Sequence, residues 1–225
     1  MLYDPKAGWY FVHVPKNGGT SFVSQFVSRD EKVTDQKKIE LIEKRRKFGI
    51  EVLPFSFPTY HNKANFWSWT EQTNGLYPIA ILRNPWSRAL SLYLFNLKIT
   101  QENIGEEWAR IDHPRLIREG FKKSWMPGGF FVDGHGRSVE YSEKTGRAWA
   151  QDDDQFSWLE GVEGAKWFRL EDQLDEFHSF TGLPRGERVN TTKKTNFRDY
   201  YDDELVDRIG TLFERDVELG GYSFE

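Results

Sequence analysis

Phe11-Val12-His13-Val14-Pro15-Lys16-Asn17-Gly18-Gly19-Thr20-Ser21 joins a short apolar run to a turn with two glycines, a lysine and a hydroxyl pair. The apolar run Trp9–Val14, bounded by Pro15, reads as a buried strand. Phe22, Val23, Phe26 and Val27 recur at the spacing of one helical face, which predicts a helix over Thr20–Val27. A strand, a glycine turn and a helix start together make a cradle for a phosphate. Glycines let backbone N–H groups approach the ligand, and the helix start offers unpaired donors. Lys16 adds a full charge, and Thr20 and Ser21 add hydroxyls. The lysine precedes the glycines, so the pattern is not Gly-x-x-x-x-Gly-Lys-Ser/Thr. Any nucleotide reading has to be of another kind.

Outward from this stretch, strand and helix patterns alternate. Gln36–Phe48 is a charged helix ending before Gly49, and Ile50–Phe57 is a strand cut by Pro54 and Pro58. Phe66–Gln72 reads as a short helix and Tyr77–Leu82 as a third strand. Asn84 is placed to cap a helix whose first residue is Pro85 and which runs to about Leu97. A helix over Pro114–Trp125, a glycine-rich stretch over Pro127–Gly136 and a hairpin at Val139–Tyr141 with a turn at Lys144–Gly146 follow. Ala165–Leu170 is a fourth strand, Glu171–Thr181 a helix stopped by Gly182, and Asp202–Leu219 a last amphipathic helix. This alternation argues for an α/β fold, a mainly parallel sheet with helices on both faces. At 225 residues a single domain over 1–225 is expected, with an irregular, substrate-facing insertion at about 98–151.

Composition narrows the chemistry. The net charge is −4 with 29% charged residues, which argues against general nucleic-acid binding. There is no cysteine, hence no disulfide, thiolate metal site or thiol nucleophile. Asp4, Lys6 and Gly8 interrupt the first residues, and no run approaches the roughly 18 apolar residues of a membrane helix. A soluble, cytosolic protein with no membrane partner is expected. Nine tryptophans are available either for core packing or for stacking on a sugar, as in Phe66–Trp69 and Trp125–Phe131.

A second strand-to-helix junction, Arg83-Asn84-Pro85-Trp86-Ser87-Arg88-Ala89-Leu90-Ser91-Leu92-Tyr93, carries arginines and serines. In open α/β sheets ligands bind at the carboxyl ends of the strands, where both junctions fall. Two anion sites imply a ligand with two separated phosphates. Arg88 is expected to serve structure rather than the ligand.

The first junction resembles the 5′-phosphosulfate-binding loop of sulfotransferases, and the second resembles their 3′-phosphate-binding motif. The match is closest to the carbohydrate branch, in its soluble bacterial- or phage-like form. Phe168-Arg169-Leu170-Glu171-Asp172, Arg188-Val189-Asn190, Tyr200-Tyr201 and Asp216-Val217-Glu218-Leu219-Gly220-Gly221-Tyr222 resemble that branch as well. The resemblance implies a P-loop-like three-layer fold with a central sheet flanked by helices. It implies 3′-phosphoadenosine 5′-phosphosulfate (PAPS) as donor, 3′-phosphoadenosine 5′-phosphate (PAP) as product, and sulfuryl transfer to a hydroxyl or amine of a carbohydrate acceptor. It puts Lys16, Asn17, Gly18, Gly19, Thr20 and Ser21 on the 5′-phosphosulfate, and Arg83 and Ser91 on the 3′-phosphate. Lys16 would stabilise charge growing on the leaving oxygen. No metal is expected.

The acceptor also needs a base, and histidine suits that. The resemblance favours His61 in Thr59-Tyr60-His61-Asn62; His135 or a carboxylate is the alternative. His13 reads as core, His113 as a helix cap and His178 as surface. Asp152-Asp153-Asp154 reads as a solvated helix start rather than a metal site. Lys193, Lys194 and Arg198 are either a solvated loop or a lid over the nucleotide. Two other classes remain open: a nucleotide kinase or NTPase, and a non-catalytic nucleotide-binding protein of the same fold.

Overall fold

Strand β1 (Leu2–Asp4) turns back at once into β2 (Trp9–Phe11), with Tyr3 opposite Tyr10 and Asp4 opposite Trp9. Asp4 makes that turn: its carboxylate accepts from the N–H groups of Lys6 and Ala7 (both 2.9 Å), and Gly8 takes a left-handed φ of 79°. This is the computed structural model of the chain, and it describes residues 1–28, 33–53, 64, 68, 70–104, 114–126, 130–132, 138–140, 154–186 and 196–225. The chain packs as two compact units, Met1–Arg83 with Gln155–Lys193 and Asn84–Asp154 with Lys194–Glu225.

The first unit holds an open five-stranded sheet in the order β3 (Glu51–Val52), β1, β2, β4 (Tyr77–Leu82), β7 (Lys166–Arg169). β3 and β2 both run antiparallel to β1, whereas β4 is parallel to β2 and β7 is parallel to β4. Four strands therefore point one way, and the expected α/β class with a mainly parallel sheet holds. Its centre is buried on both faces, as parallel strands require. Tyr10, Val12, Ala80 and Leu82 face a core with Phe156, Trp158 and Leu159, the last three from a short 3-10 turn at Phe156–Trp158 and its end. Trp9, Phe11, Ile79, Ile81 and Phe168 face the other core. There α1 (Gly19–Val23) supplies Phe22 and α5 (Leu174–Thr181) supplies Phe177, with the Phe11–Phe22 and Phe22–Phe177 rings 4.7 and 4.9 Å apart.

Helix α2 (Asp35–Phe48) starts at Thr34, whose side chain accepts from the Lys37 N–H, and stops at Gly49 in the left-handed region. Three expectations for this unit are corrected, and one strand is new. β1 was not anticipated, because three residues are too few to show a period. α1 is shorter than Thr20–Val27, continuing as turns, with Phe26 still buried. α5 begins at Leu174 rather than Glu171, because a turn intervenes in which the Gln173 N–H donates to the Arg169 carbonyl. The helix expected over Phe66–Gln72 does not reach its predicted end, because residues 70–72 form a bend and turn; residues 66, 67 and 69, like residues 54–57 of the second strand, lie outside the described residues.

The second unit is helical. α3 (Pro85–Ile104) is capped as expected, the Asn84 side chain accepting from the Ser87 N–H (3.2 Å), but it runs past Leu97. α4 (Pro114–Trp125), α6 (Asp203–Leu212) and α7 (Glu214–Gly220) complete a core of Trp86, Leu90, Phe121, Trp125, Leu205, Ile209 and Phe213. The single helix expected over Asp202–Leu219 is broken at Phe213 (φ −116°, ψ 32°), whose ring is buried against Trp125 at 5.7 Å. The hairpin also differs: β5 (Phe130–Val132) pairs with β6 (Ser138–Glu140), so it precedes Lys144–Gly146, which lies outside the described residues. Trp125 is 1% exposed and belongs to the core, which removes it as a sugar platform. No helix among the described residues is long and apolar enough to cross a membrane.

The sheet carries a pH dependence. Burial, then the hydrogen bond from Tyr3 Oη to Glu51 (2.6 Å), pushes the Tyr3 phenol from 10 up to about 12. Burial likewise pushes Tyr10, which donates to the Ala64 carbonyl (3.0 Å), up to about 12. An unfolded tyrosine loses its proton near pH 10, so above that the unfolded chain releases protons that the folded sheet retains. The stabilising contribution is complete below pH 10 and is lost as pH rises towards 12. Alkaline titration followed by tyrosinate absorbance and circular dichroism is expected to show these two phenols ionising together with unfolding. Ionisation at the ordinary value with the fold intact would contradict their burial.

Candidate functional site

β2 leads directly into the glycine turn. The Val12 N–H still bonds to the Ile79 carbonyl (2.8 Å), and Pro15 then ends the pairing. Lys16 (φ 68°) and Gly18 (φ 78°) both take the left-handed conformation, and the Ser21 N–H donates to the Gly18 carbonyl (3.0 Å) as α1 begins. Lys16 is the one described non-glycine residue with a positive φ. Gly19 cannot carry a side chain, because a Cβ there would run into the His13 ring. His13 is thus a buried support for the turn, 6% exposed, as its core reading anticipated. Lys16, Thr20 and Ser21 are half-buried at the surface of the turn.

The neighbouring parallel strand ends in Arg83. Its guanidinium Nη1 donates to the Lys16 carbonyl (3.1 Å), so two residues 67 apart in sequence share one loop. The backbone of Arg83 is held by one side chain. Gln155 Oε1 accepts from the Arg83 N–H (2.8 Å) while Gln155 Nε2 donates to the Arg83 carbonyl (2.7 Å). Asn17 completes the connection, its Nδ2 donating to Gln155 Oε1 (2.5 Å) and to the Ile81 carbonyl (2.9 Å). β7 extends the same edge, the Leu170 N–H bonding to the Leu82 carbonyl (2.7 Å). Just beyond it, Arg169 is bidentate to Asp172 (2.8 and 2.7 Å) and holds that carboxyl below the usual range.

Of the residues singled out in sequence, Lys16, Asn17, Gly18, Gly19, Thr20, Ser21 and Arg83 therefore converge on the carboxyl ends of β2 and β4. Asn17 is 1% exposed and points inward, so it acts as scaffold within the turn. Ser91 is half-buried on α3 in the second unit. Arg88 is 1% exposed with its guanidinium 5.6 Å from the Phe213 ring centre, consistent with a structural place. His61, His135, His113, Lys193 and Lys194 lie outside the described residues. His178 is corrected from surface to half-buried; its ring Nδ1–H donates to the Leu183 carbonyl (3.0 Å) beyond the end of α5. Arg198 donates to the Phe224 carbonyl (3.0 Å) and lies over the Phe197 ring, so it anchors the final residues of its own unit. Asp154 pairs with Arg215 (3.5 Å), and no group of three His, Asp or Glu among the described residues is placed to hold a metal.

Gln155 was missed by the sequence reading. A lone glutamine between an acidic run and Phe156 carries no motif, and its role comes from residues 138 and 72 positions away. Compared with family models, with curated proteins and with solved structures, the chain matches none.

Proposed function

We propose that the chain is a sulfotransferase that moves a sulfuryl group from PAPS to a hydroxyl or amine of an acceptor, a carbohydrate being the class implied by the motif resemblance. The observation that carries the reading is the Arg83–Lys16 bond, which holds two cation-bearing strand ends together. A ligand with separated anionic groups suits that pair: an arginine fork matches phosphate oxygens, and a lysine acts as a mobile point charge.

The bound donor supplies an electrophilic sulfur on a phosphate leaving group. The chain's residues then bind and orient. Lys16 faces the bridging oxygen and neutralises the charge that grows there as the S–O bond breaks. Thr20, Ser21 and the turn N–H groups hold the 5′ end, and Arg83 holds the 3′-phosphate, to which the motif resemblance also assigns Ser91. The acceptor oxygen forms the new bond to sulfur, and its proton passes to a base, for which His61 is the proposed group. Positioning and charge stabilisation carry the rate, as in phosphoryl transfer.

Calorimetry with PAP against ATP plus Mg²⁺ tests the class. Binding of PAP without metal, with ATP–Mg²⁺ weaker, is expected. Preference for the triphosphate would replace this reading with a kinase or NTPase, and PAP binding with no turnover on any acceptor would leave a non-catalytic nucleotide-binding protein.

A further inference from the structure

Gln155 is completely buried, and among the described residues its one amide makes hydrogen bonds to Asn17 and to both backbone groups of Arg83. Its two bonds to Arg83 reproduce what a neighbouring strand would offer, at the residue where β4 leaves the sheet. Arg83 closes one of the two chain segments of its unit and Gln155 opens the other, so the amide stitches the segment ends. The connections close into a ring: Asn17 donates to Gln155, Gln155 brackets the Arg83 backbone, and the Arg83 side chain returns to the Lys16 carbonyl, next to Asn17. Oε1 accepts from both Asn17 and Arg83, so neither link shifts without the other.

We infer that Gln155 is a positioning residue that sets the Arg83 guanidinium against the backbone of the Lys16 turn, and so fixes where that fork stands beside the turn for a ligand with two anionic groups. That use of the aimed guanidinium rests on the proposed sulfotransferase reading; the ring itself does not. The physical reason is entropy and geometry together. An arginine at a strand end has several open side-chain torsions, and a guanidinium binds an oxyanion well only when its fork is already aimed. Fixing the backbone on both sides of Cα sets φ and ψ and hence the direction in which the side chain leaves the strand, and the Lys16 carbonyl restrains its far end.

The test uses the full chain, with PAP as probe. Gln155→Met keeps the shape and deletes the bonds to Asn17 and Arg83. It is expected to weaken PAP about 10-fold, the scale of lost supporting contacts around a ligand-bearing group. In the Arg83→Ala background the same change is expected to weaken PAP less than about 2-fold, because its effect passes through Arg83. An equal loss in both backgrounds would overturn the positioning role while leaving the sulfotransferase reading standing. A second readout needs no ligand: rotation about the Arg83 Nε–Cζ bond, followed by ¹⁵N NMR of the guanidinium, is expected to be slow in the parent and fast in Gln155→Met. Equal rotation in both overturns the inference. Should the parent chain not bind PAP, the sulfotransferase reading falls, and the rotation measurement alone decides the role of Gln155. Thermal unfolding checks that the variant folds; should it not, Asn17→Ala, which cuts the ring at one link, is judged by the same two criteria.

Discussion

Lys16→Gly is expected to abolish sulfuryl transfer while leaving the fold at least as stable as before. The two halves of that expectation have separate causes. Lys16 is held at φ 68°, a region in which a side chain costs about 1–2 kcal/mol. Glycine removes that strain, against the roughly 0.4–1 kcal/mol of extra freedom that it gives the unfolded chain. Stability is therefore expected to be unchanged or to rise by about 1 kcal/mol, a few degrees in Tm for a chain of this size. Activity follows the charge instead. Losing the group that neutralises the leaving oxygen is expected to lower kcat by about 10²–10³ or more. Lys16→Ala should lose the same activity and keep the strain, so the two variants match in rate and differ in Tm. Transfer assays beside thermal unfolding make the comparison. A glycine variant with the parent rate would show that the ammonium plays no part, and the assignment of this turn to the phosphosulfate would go with it.

Arg83→Ala is expected to weaken PAP by about 2–4 kcal/mol, roughly 30- to 700-fold. The side chain is half-buried and already tied to the Lys16 carbonyl, so its removal takes away an aimed cation and an anchor of the turn. Arg83→Lys separates these. It keeps the charge but loses the planar fork, and is expected to lie closer to the alanine variant than to the parent. Calorimetry measures both variants. Because the backbone of Arg83 is held by Gln155 whatever the side chain, neither change is expected to unfold the first unit. Unchanged affinity in Arg83→Ala would move the 3′-phosphate to other residues.

Much of the fold was legible because its signals are local. Tyr77–Leu82 is a run of apolar residues ended by Arg83, and it is β4. Thr34 and Gly49 mark the two ends of α2, and Asn84 and Pro85 mark the start of α3, each through its own backbone chemistry. The aromatic surplus was also resolved by packing. Trp9, Trp86, Trp125 and Trp158 all lie in cores, where their area is worth most. What misled was local regularity without tertiary support. The pattern from Asp202 to Leu219 is continuous, yet burial of the Phe213 ring breaks the helix there. His178 looks like a surface residue in its own segment, and only the returning Leu183 carbonyl shows its use.

The sequence by itself determined the turn: strand, lysine, two glycines and hydroxyls in that order specify a tight junction at the end of β2, because glycine and proline act on their own φ and ψ. It also determined that a second such junction follows β4. That the two junctions meet through Arg83 and Lys16 was decided by the parallel pairing of β2 with β4, which brings residues 67 apart to one edge. Gln155 belongs wholly to that second kind of fact. A buried amide with two opposed hydrogen-bonding atoms has no preferred partner until the chain folds, and here folding placed a backbone N–H and C=O on either side of it.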